Sequence, residues 1–567
     1  MKKILSAALL LLCLFPSMGA HTSTGRSVYL DIMQSSVEAY SPERIREYIE
    51  RVDRQGITEH GYARLTANLG ILVSQGRMTE KKGLFEEMMD ICVRELPLAR
   101  QKNSKIGEIG NDFAVKEVVC CIVELEKAAV FPKEKTDEWR NALSEMKAED
   151  IYSVRPRPGD SVARNWCVFG AASECARLMA GIGGDREYAD LYLGDQLRFF
   201  DENGMYRDPH SPMVYDLVTR LQYMAAMDFG YDGPARKAIE EELMKSAGYT
   251  LMMQSVSGEI PYGGRSNQFL HNDAFYAAVC EYYASWMKDL GDLQAAARFK
   301  AAAARATESL MYWFSQDPVH HVKNRYPTES GYGCEKYAYF DKYMVTTASW
   351  AYLAWRFADD SISPSSHREK RSTFVTSPDF HRIIMNAGGY TVQFDWDAQG
   401  EYDSSGIGRV QKKGAPPTVA IASPCPSVRK PNYKLDLEND GPLAIAPSWD
   451  KFEIVSAGKG KVVMTDGKGS VWISRLSRRG LSMTLKGEGK QVLALPAMVF
   501  DGENEYSPTL DRNVLQNTME GWNFRCSSNG TISDTGKIHA SRNGHLRRYE
   551  ASHDRRLKVR LKIFRHQ

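Results

Sequence analysis

The sequence lacks the short motifs that identify several large enzyme classes. It has no GxSxG, no HExxH, no phosphate-binding loop with its lysine and no dinucleotide fingerprint after a strand. Those absences argue against an esterase, a metalloprotease, a kinase and a dehydrogenase. The chain also lacks an excess of either charge, because 73 Lys and Arg residues nearly balance 71 Asp and Glu residues. This balance gives no global field that would favour nucleic acid or a membrane surface.

Cysteines are few and do not have the spacing of a metal site. The ten cysteines of the 567-residue chain include no CxxC pair and no zinc-finger pattern. Several, such as Cys120 and Cys121, fall on apolar helical faces, so we expect buried small hydrophobes and no disulfide framework. After residue 20 no uncharged run approaches membrane-spanning length, and we expect no membrane span.

The first twenty residues have the three parts of a secretory signal peptide. MKK is a short basic head, ILSAALLLLCLF is an apolar run, and PSMGA ends in small residues suited to cleavage. This pattern predicts a signal peptide over 1–20 and a periplasmic or secreted protein of the Gram-negative type. Cys13 lacks the preceding small residues that a bacterial lipid-anchor site needs, which favours soluble export.

Residues 21–360 have the pattern of a helical domain. Apolar residues recur every three or four positions, with breaks at Pro, Gly and Asp clusters. The predicted helices are 28–53, 59–75, 79–99, 108–130, 134–147, 163–182, 186–200, 212–230, 234–255, 268–289, 292–315 and 339–358. Because short loops join them, we expect six antiparallel hairpins that close into an (α/α)6 toroid with a cleft at one end.

The character of the sequence changes after Ser361. Residues 361–374 are polar and poor in helix formers, which predicts a linker. Residues 375–567 contain short β-favouring runs separated by turn signals, including Asp-Gly pairs at 466–467 and 501–502. This spacing predicts a C-terminal antiparallel β-sandwich, and the whole chain is therefore expected to be an α+β multidomain protein.

One stretch of the helical domain, GGRSNQFLHNDAFYAA over 263–278, concentrates more polar residues than the start of a buried helix needs. Two glycines precede Arg265, Asn267 and His271, and apolar residues at helical spacing follow from Phe269. The polar cluster is therefore expected on a loop and on the first turn of a helix, where a helix N-terminus favours anions. Such a site could hold a carboxylate beside a proton-transfer group, although a polar cap with a core histidine would have the same pattern.

Three other loops also concentrate polar groups just before apolar helices. Their polar and aromatic residues are Arg164, Asn165 and Trp166; Asp208, His210, Tyr215, Asp216 and Arg220; and Tyr332, Glu335, Lys336, Tyr337 and Tyr339. In a toroid, loops that begin inner helices meet at one end of the ring. We therefore expect these groups to converge on one cleft.

A run of helical hairpins followed by a sandwich resembles the toroid-plus-sandwich polysaccharide lyases and their heparinase II/III-like relatives. The features that carry the resemblance are NW at 165–166, DPHSPMVYD, GGRSNQ with its following His, and YDSSGIGRVQKKGAPPTVAIASPCP in the sandwich. The nearest likeness is to rhamnose-glucuronate lyases of gut Bacteroides. The resemblance implies an acidic polysaccharide or oligosaccharide substrate and β-elimination, which leaves a 4,5-unsaturated uronic acid.

This chemistry requires a neutralised uronate carboxylate, a base for the C5 proton and an acid for the leaving O4. We assign Asn165, Arg265 and Asn267 to the carboxylate, His271 or His210 as base or carboxylate partner, and Tyr215 as acid or base. Further substrate-binding candidates are Arg164, Trp166, Tyr332, Tyr337, Tyr339 and Arg409. No cofactor is predicted, and a divalent metal is left open because some relatives use one.

Two other functions fit the same sequence. A glycoside hydrolase on the same toroid, of the glucuronidase or unsaturated glucuronyl hydrolase type, needs paired carboxylates. The available acids are Asp208, Asp216, Glu259, Asp273 and Glu335. A non-catalytic glycan-binding protein would instead show exposed aromatics on a shallow surface. Elimination is preferred because His, Tyr, Asn and Arg are denser in the loops than acids are.

Overall fold

The computed structural model describes residues 25–103, 105, 109–152, 159, 165–210, 212–366, 371–419, 425–426, 428–439 and 441–566. The predicted signal peptide, Arg164 and part of the predicted linker lie outside these residues. In the described part of the chain, no helix has both the length and the apolar character needed to cross a membrane.

Helices occupy the N-terminal part of the described chain. They are α1 (Ser27–Glu38), α2 (Pro42–Gln55), α3 (Gly61–Ser74), α4 (Lys82–Glu95), α5 (Ala99–Lys102), α6 (Asn111–Lys127), α7 (Lys133–Ser144), α8 (Ala148–Ile151), α9 (Asn165–Ala180), α10 (Arg186–Asp195), α11 (Met213–Asp228), α12 (Arg236–Met253), α13 (His271–Asp289), α14 (Leu293–Phe314) and α15 (Phe340–Phe357). Short 3₁₀ turns cover Thr79–Lys81, Gln196–Phe199 and Thr328–Ser330.

Six of these helices form a closed inner ring. In order they are α3, α6, α9, α11, α13 and α15, and α15 packs against α3 to close the ring. Outer helices α4, α7, α10, α12 and α14 each pack against one inner helix, and α1 packs against both α15 and α3. Inner helices are buried nearly all round, as an apolar helix at the centre of a bundle must be. The predicted (α/α)6 toroid is therefore confirmed.

One predicted helix is two helices in the structure. The pattern over 28–53 is interrupted between α1 and α2, where Ser41 accepts a hydrogen bond from the backbone N–H of Arg44 and Pro42 is the first helical residue. An N-cap serine followed by proline begins a new helix, because proline has no N–H to donate to the preceding turn. The Ser41-Pro42 pair is therefore the sequence signal for two helices where one was predicted.

Strands occupy the C-terminal part of the described chain. They are β1 (Ser372–Val375), β2 (Arg382–Ala387), β3 (Tyr390–Asp395), β4 (Gly406–Lys412), β5 (Glu453–Gly458), β6 (Lys461–Thr465), β7 (Val471–Ser477), β8 (Gly480–Phe500), β9 (Thr509–Asp511), β10 (Val514–Met519), β11 (Trp522–Ser528), β12 (Thr531–Ser541) and β13 (Gly544–Arg565). All pairings among them are antiparallel.

The strands form two sheets that pack face to face. A four-stranded sheet has the order β1-β2-β3-β4, and a nine-stranded sheet has the order β5-β6-β7-β8-β13-β11-β10-β9 with β12 beside β13. Phe394 of the first sheet packs against Trp472 of the second, with ring centroids 5.6 Å apart, inside a shared core. The predicted antiparallel sandwich is confirmed.

The four-stranded sheet lies between the helical ring and the larger sheet. Its second face carries Phe374 and Ile384, which pack with Met205, Met213 and Met253 of the helical part. Its two central strands, β2 and β3, are buried on both faces. Because the four-stranded sheet packs directly on the helical part, the β-sandwich lies close to the loops of the ring.

All nine cysteines of the described residues are buried, and none of them forms a disulfide. They therefore act as small core hydrophobes, as the sequence predicted.

Candidate active site

Side chains at the N-terminal ends of the inner helices meet in one cluster. His60 precedes α3 and packs against Phe113 of α6, with centroids 5.1 Å apart, and Phe113 packs against Trp166 of α9 at 4.7 Å. On the other side His271 of α13 lies 5.2 Å from Tyr343 of α15, which lies 6.4 Å from His60. One end of the ring therefore gathers the polar helix starts, as the sequence predicted.

A chain of polar contacts links three of the predicted site residues. Asn165 donates its amide to one oxygen of Asp208 at 2.8 Å, and Arg265 forms an ion pair with the other oxygen. The guanidinium carbon of Arg265 lies 4.3 Å from the ring centroid of Tyr215. Asp208 thus holds Asn165 and Arg265 together, and it holds Arg265 across the face of the tyrosine ring.

Tyr215 belongs to a group of hydroxyls centred on Ser266. Its hydroxyl lies 2.9 Å from Ser266 Oγ, and the Tyr337 hydroxyl lies 2.8 Å from the same atom. Burial raises the pKa of Tyr337 and of Tyr343 well above the ordinary value, so both are protonated at neutral pH. The arrangement joins two phenols through one serine, a geometry in which a proton can be passed between hydroxyls.

The backbone at Ser266 is held by a residue from the sandwich. Ser266 N–H donates to Glu335 at 2.6 Å, and Arg542, in the turn between β12 and β13, donates to the other Glu335 oxygen at 2.9 Å. Arg542 also donates to the carbonyls of Asn267 and Gly333 at 3.3 and 3.1 Å. Ser266 has a φ of 58°, in the left-handed region, so these contacts fix a conformation that serine rarely adopts.

Gly263 and Gly264 allow the loop to lie directly on the four-stranded sheet. Gly264 N–H donates to Asp403 at 2.9 Å, and Arg382 donates to the same carboxylate oxygen at 2.8 Å. A Cβ atom at Gly263 would collide with the guanidinium of Arg382, and φ there is 141°. The close backbone approach that the paired glycines predict is therefore present.

His271 lies at the floor of the cluster, among aromatic rings. Its ring stacks on Phe269 with centroids 5.4 Å apart, the residue is 7% exposed, and Nδ1 makes no hydrogen bond within the described residues. Burial, reinforced by the positive charge of Arg64, lowers the pKa of His271 well below the ordinary value. The imidazole is therefore neutral at pH 7.

His210 and Asn267 differ in their exposure to solvent and in their hydrogen bonding. His210 is exposed, has a φ of 71°, and faces Tyr402 of the β3–β4 connection with centroids 6.0 Å apart. Asn267 is buried and donates its amide to the Gly264 carbonyl at 2.6 Å, while its Oδ1 has no partner in the described residues. His210 thus lies open to solvent, and the Asn267 amide N–H₂ is already used to shape the loop.

Among the described residues, Tyr332, Tyr339 and Arg409 make contacts with groups other than Tyr215. Tyr332 is buried, stacks on Tyr326 at 3.5 Å and donates to the Ser541 carbonyl at 2.8 Å. Tyr339 is 45% exposed just before α15, and Arg409 is buried behind the loop, where it donates to the Ile260 carbonyl at 3.4 Å. Arg164 lies outside the described residues.

Each of the five acids that a hydrolase could use is bound to an arginine or a lysine. The ion pairs are Asp208 with Arg265, Asp216 with Arg220, Glu259 and Asp273 with Lys323, and Glu335 with Arg542. A buried carboxylate needs such a partner to remain charged away from water. These acids therefore position cations and loops.

Three neighbours of the site have no local sequence signal. Tyr343 lies in the first turn of α15, and Tyr402 lies in the connection between β3 and β4. Arg542 lies about 270 residues after the 263–278 stretch in the sequence. Among the described residues, no group of three or more His, Cys, Asp or Glu side chains is close enough to hold a metal ion.

No family model and no curated protein sequence matches the chain. Among solved structures, it is similar to a chondroitin AC lyase of Streptomyces coelicolor A3 solved with chondroitin sulphate, at 11% identity, 94% and 82% coverage of the two chains and a TM-score of 0.44. It is also similar to a family 88 glycosyl hydrolase of Bacteroides vulgatus, at 13% identity, 59% and 99% coverage and a TM-score of 0.38. A third similar structure is a family 127 β-L-arabinofuranosidase of Geobacillus stearothermophilus T6, at 11% identity, 95% and 98% coverage and a TM-score of 0.35.

Proposed function

We propose that this protein is a polysaccharide lyase that cleaves the bond to a uronic acid by β-elimination. The observation that carries the proposal is the contrast between the two kinds of proton-transfer group at the mouth of the ring. The five candidate acids are all engaged in ion pairs, whereas Tyr215 lies in a hydroxyl cluster beside Arg265.

The first requirement of elimination is to neutralise the uronate carboxylate, because this makes the C5 proton more acidic. Arg265 and Asn165 are fixed side by side through Asp208, and both carry N–H groups of the kind that binds a carboxylate. Preorganised donors of this type stabilise the negative charge that builds up as C5 loses its proton. Arg265 and Asn165 are therefore assigned to the carboxylate.

The second requirement is a group that takes the C5 proton and a group that gives one to O4. Tyr215 is assigned one or both roles, because its hydroxyl shares Ser266 with Tyr337 and can exchange a proton along that path. His271 is neutral at pH 7, so it can accept a proton but cannot supply a positive charge to the carboxylate. The exposed His210 is the alternative base.

Hydrolysis is disfavoured by the same geometry. A hydrolase needs one carboxyl group that stays protonated and a second that acts as base or nucleophile. Converting Asp216 or Glu335 to this use would leave a fully buried arginine without its partner, at a cost of roughly 3–5 kcal/mol. The removal of terminal rhamnose from glucuronate is the particular elimination that the family resemblance favours.

The test is to incubate the protein with a panel of acidic polysaccharides and oligosaccharides and to record ultraviolet absorbance together with product mass. Elimination creates a 4,5-unsaturated uronate, which absorbs and whose summed products have the mass of the intact substrate. Hydrolysis adds the mass of one water per cut and creates no new absorbance. Water addition without absorbance would overturn the proposal, and binding without any cut would favour a glycan-binding protein.

A further inference from the structure

The outer face of the nine-stranded sheet carries a stripe of positive charge. Along β13, four basic residues alternate with buried apolar ones, so that the basic side chains all point away from the sandwich core. Strands beside β13 add further basic residues to the same face. We call the following set the basic stripe: Lys461, Arg475, Lys486, Arg525, Arg556, Lys558, Arg560 and Lys562.

The members of the basic stripe are exposed and have no anionic partner. Among the described residues, none of the eight side chains forms an ion pair or a hydrogen bond, although most other arginines of the chain do. The central strands β7, β8, β13 and β11 present no Asp or Glu on this face between these residues. The near-neutral charge of the whole chain therefore hides a strongly basic surface.

Like charges in the basic stripe face each other directly across strands. Lys461 on β6 lies opposite Arg475 on β7, and Lys486 on β8 lies opposite Arg556 on β13. Arg525 on β11 lies opposite Lys562 on β13 in the same way. A directly opposed pair of like charges destabilises a sheet, on the scale of roughly 0.2–1 kcal/mol per pair. Three such pairs on one face oppose folding, and a ligand that binds the face would relieve the repulsion.

The side chains between the charges indicate what kind of ligand fits. On β8, the outward positions between Gly480 and Lys486 are Ser482 and Thr484, and on β11 Ser527 lies opposite Arg560. Phe564 is on the same face of β13, 37% exposed, beyond Lys562 at the end of the strand. One ring at the edge of the basic stripe is not a row of platforms for stacking successive nucleic-acid bases. The apolar residues on this face of β6 and β7, Val463, Val471 and Ile473, are partly buried, so they do not project as the side chains that insert into a bilayer do.

We propose that the basic stripe is a non-catalytic binding site for an acidic polysaccharide, which it holds through the carboxylate or sulfate groups of the glycan. Successive outward positions along β13 are about 7 Å apart, and neighbouring strands are about 4.8 Å apart. A linear polyanion with regularly repeated charges can therefore meet several cations at once. Only the choice of polyanion rests on the proposed function.

The site lies away from the cleft of the helical ring. The four-stranded sheet separates the nine-stranded sheet from the helices, and the basic stripe is on the far side of the larger sheet. A glycan bound there leaves the mouth near Tyr215 open. The expected role is to raise the local concentration of substrate at the cleft. This effect requires a chain long enough to reach both sites, so it applies to long glycans and not to short ones.

The test compares binding of the full chain to fluorescein-labelled heparin oligosaccharide with binding of two matched variants. The stripe variant carries Arg475→Thr, Arg556→Thr, Lys558→Thr and Arg560→Thr, which keeps strand-forming residues on the face. The control variant removes four exposed cations elsewhere and has the same net charge; its substitutions are Arg54→Gln, Lys147→Gln, Lys413→Gln and Lys537→Gln.

We expect the stripe variant to bind heparin at least about tenfold more weakly at low salt, with a shallower dependence of affinity on salt, because fewer counterions are released. The control variant should bind like the wild-type protein. The thermal midpoint of the stripe variant should be unchanged or higher, because like-charge repulsion has been removed. If the fourfold variant does not fold, the single variant Arg560→Thr replaces it. We expect this variant to lose heparin affinity too, but by less than the fourfold variant.

Equal loss in the stripe and control variants would overturn the proposal, because net charge alone would then explain binding. Tighter binding of a DNA oligonucleotide, or of phosphatidylglycerol vesicles, than of heparin at the same salt would also overturn it. Turnover of a short oligosaccharide should be the same in the stripe variant and the wild-type protein. If no substrate is turned over at all, the proposed lyase function fails while the binding comparison still stands.

Discussion

Replacement of Tyr215 by phenylalanine is the most direct probe of the proposed elimination. The change removes one hydroxyl, and with it the hydrogen bond of 2.9 Å to Ser266 Oγ. The aromatic ring remains, so Arg265 keeps the face on which its guanidinium lies at 4.3 Å. The substitution therefore separates loss of proton transfer from loss of substrate-carboxylate binding.

The expected effect on stability is small and the expected effect on turnover is large. One hydrogen bond to a partly exposed hydroxyl contributes about 0.5–1.5 kcal/mol. Loss of a positioned general acid or base lowers the rate by about 10²–10⁴, which corresponds to roughly 3–5 kcal/mol in the activation free energy. We therefore expect Tyr215→Phe to lower kcat in this range and to change KM little.

Tyr337→Phe is the matched control. Tyr337 donates to or accepts from the same serine oxygen at 2.8 Å, so its substitution removes a hydrogen bond of the same kind. If Tyr215 is the proton-transfer group, Tyr337→Phe should lose less than about tenfold in kcat. The assay is the initial rate of ultraviolet absorbance from the unsaturated product, with circular dichroism as the check on folding.

Full activity of a folded Tyr215→Phe protein would refute the assigned role. An equal loss in both variants would show that the serine-centred cluster acts through its structure and that neither phenol is specifically required.

Three further predictions concern the supports of the site. Gly263→Ala should lower both stability and activity, because its Cβ would strike Arg382; urea unfolding and turnover measure this. Arg542→Met should destabilise by roughly 3–5 kcal/mol, because Glu335 is left buried without its cation, and Arg542→Met with Glu335→Gln should recover part of the loss. Burial lowers the pKa of Lys116 to about 7 from an ordinary 10.5, so the folded protein binds fewer protons than the unfolded chain between these values. The free energy of unfolding of the wild-type protein should therefore rise with pH over this window relative to that of Lys116→Met. The variant should exceed the wild type in stability by most at or below pH 7, and urea unfolding at several pH values measures the difference.

The architecture was largely predictable because it follows from periodicity. Apolar residues at helical spacing, followed by β-favouring runs, specify which faces must be buried, and this holds at each position independently of the rest of the chain. The errors are local: the Ser41-Pro42 break was missed, and two of the short β-favouring runs, LSMTLKGEG and QVLALPAMVF, form one strand, β8 (Gly480–Phe500). In β8 long-range pairing with β13 keeps the strand intact through its polar centre.

The candidate site was predictable only as a set of loops. The sequence indicated that the starts of inner helices would meet, and it identified Asn165, Tyr215 and Arg265, which the structure brings together. It also placed Tyr332 with them, although that ring is buried against Tyr326 beside the sandwich. A loop sequence shows that a polar group is present but does not show the direction in which the side chain points.

The sequence by itself determined the ring, the sandwich and the close backbone approach at Gly263, because periodicity and glycine conformation act over a few residues. The tertiary structure decided which acids form most of the ion pairs, since all of these pairs except Asp216 with Arg220, one helical turn apart in α11, join residues that only packing brings together. Arg542 meets Glu335 across 207 positions of the chain, and Arg265 meets Asp208 across 57. Whether a carboxylate is a catalyst or a support depends on that partner, because a buried charge is governed by the groups around it and not by its neighbours in sequence.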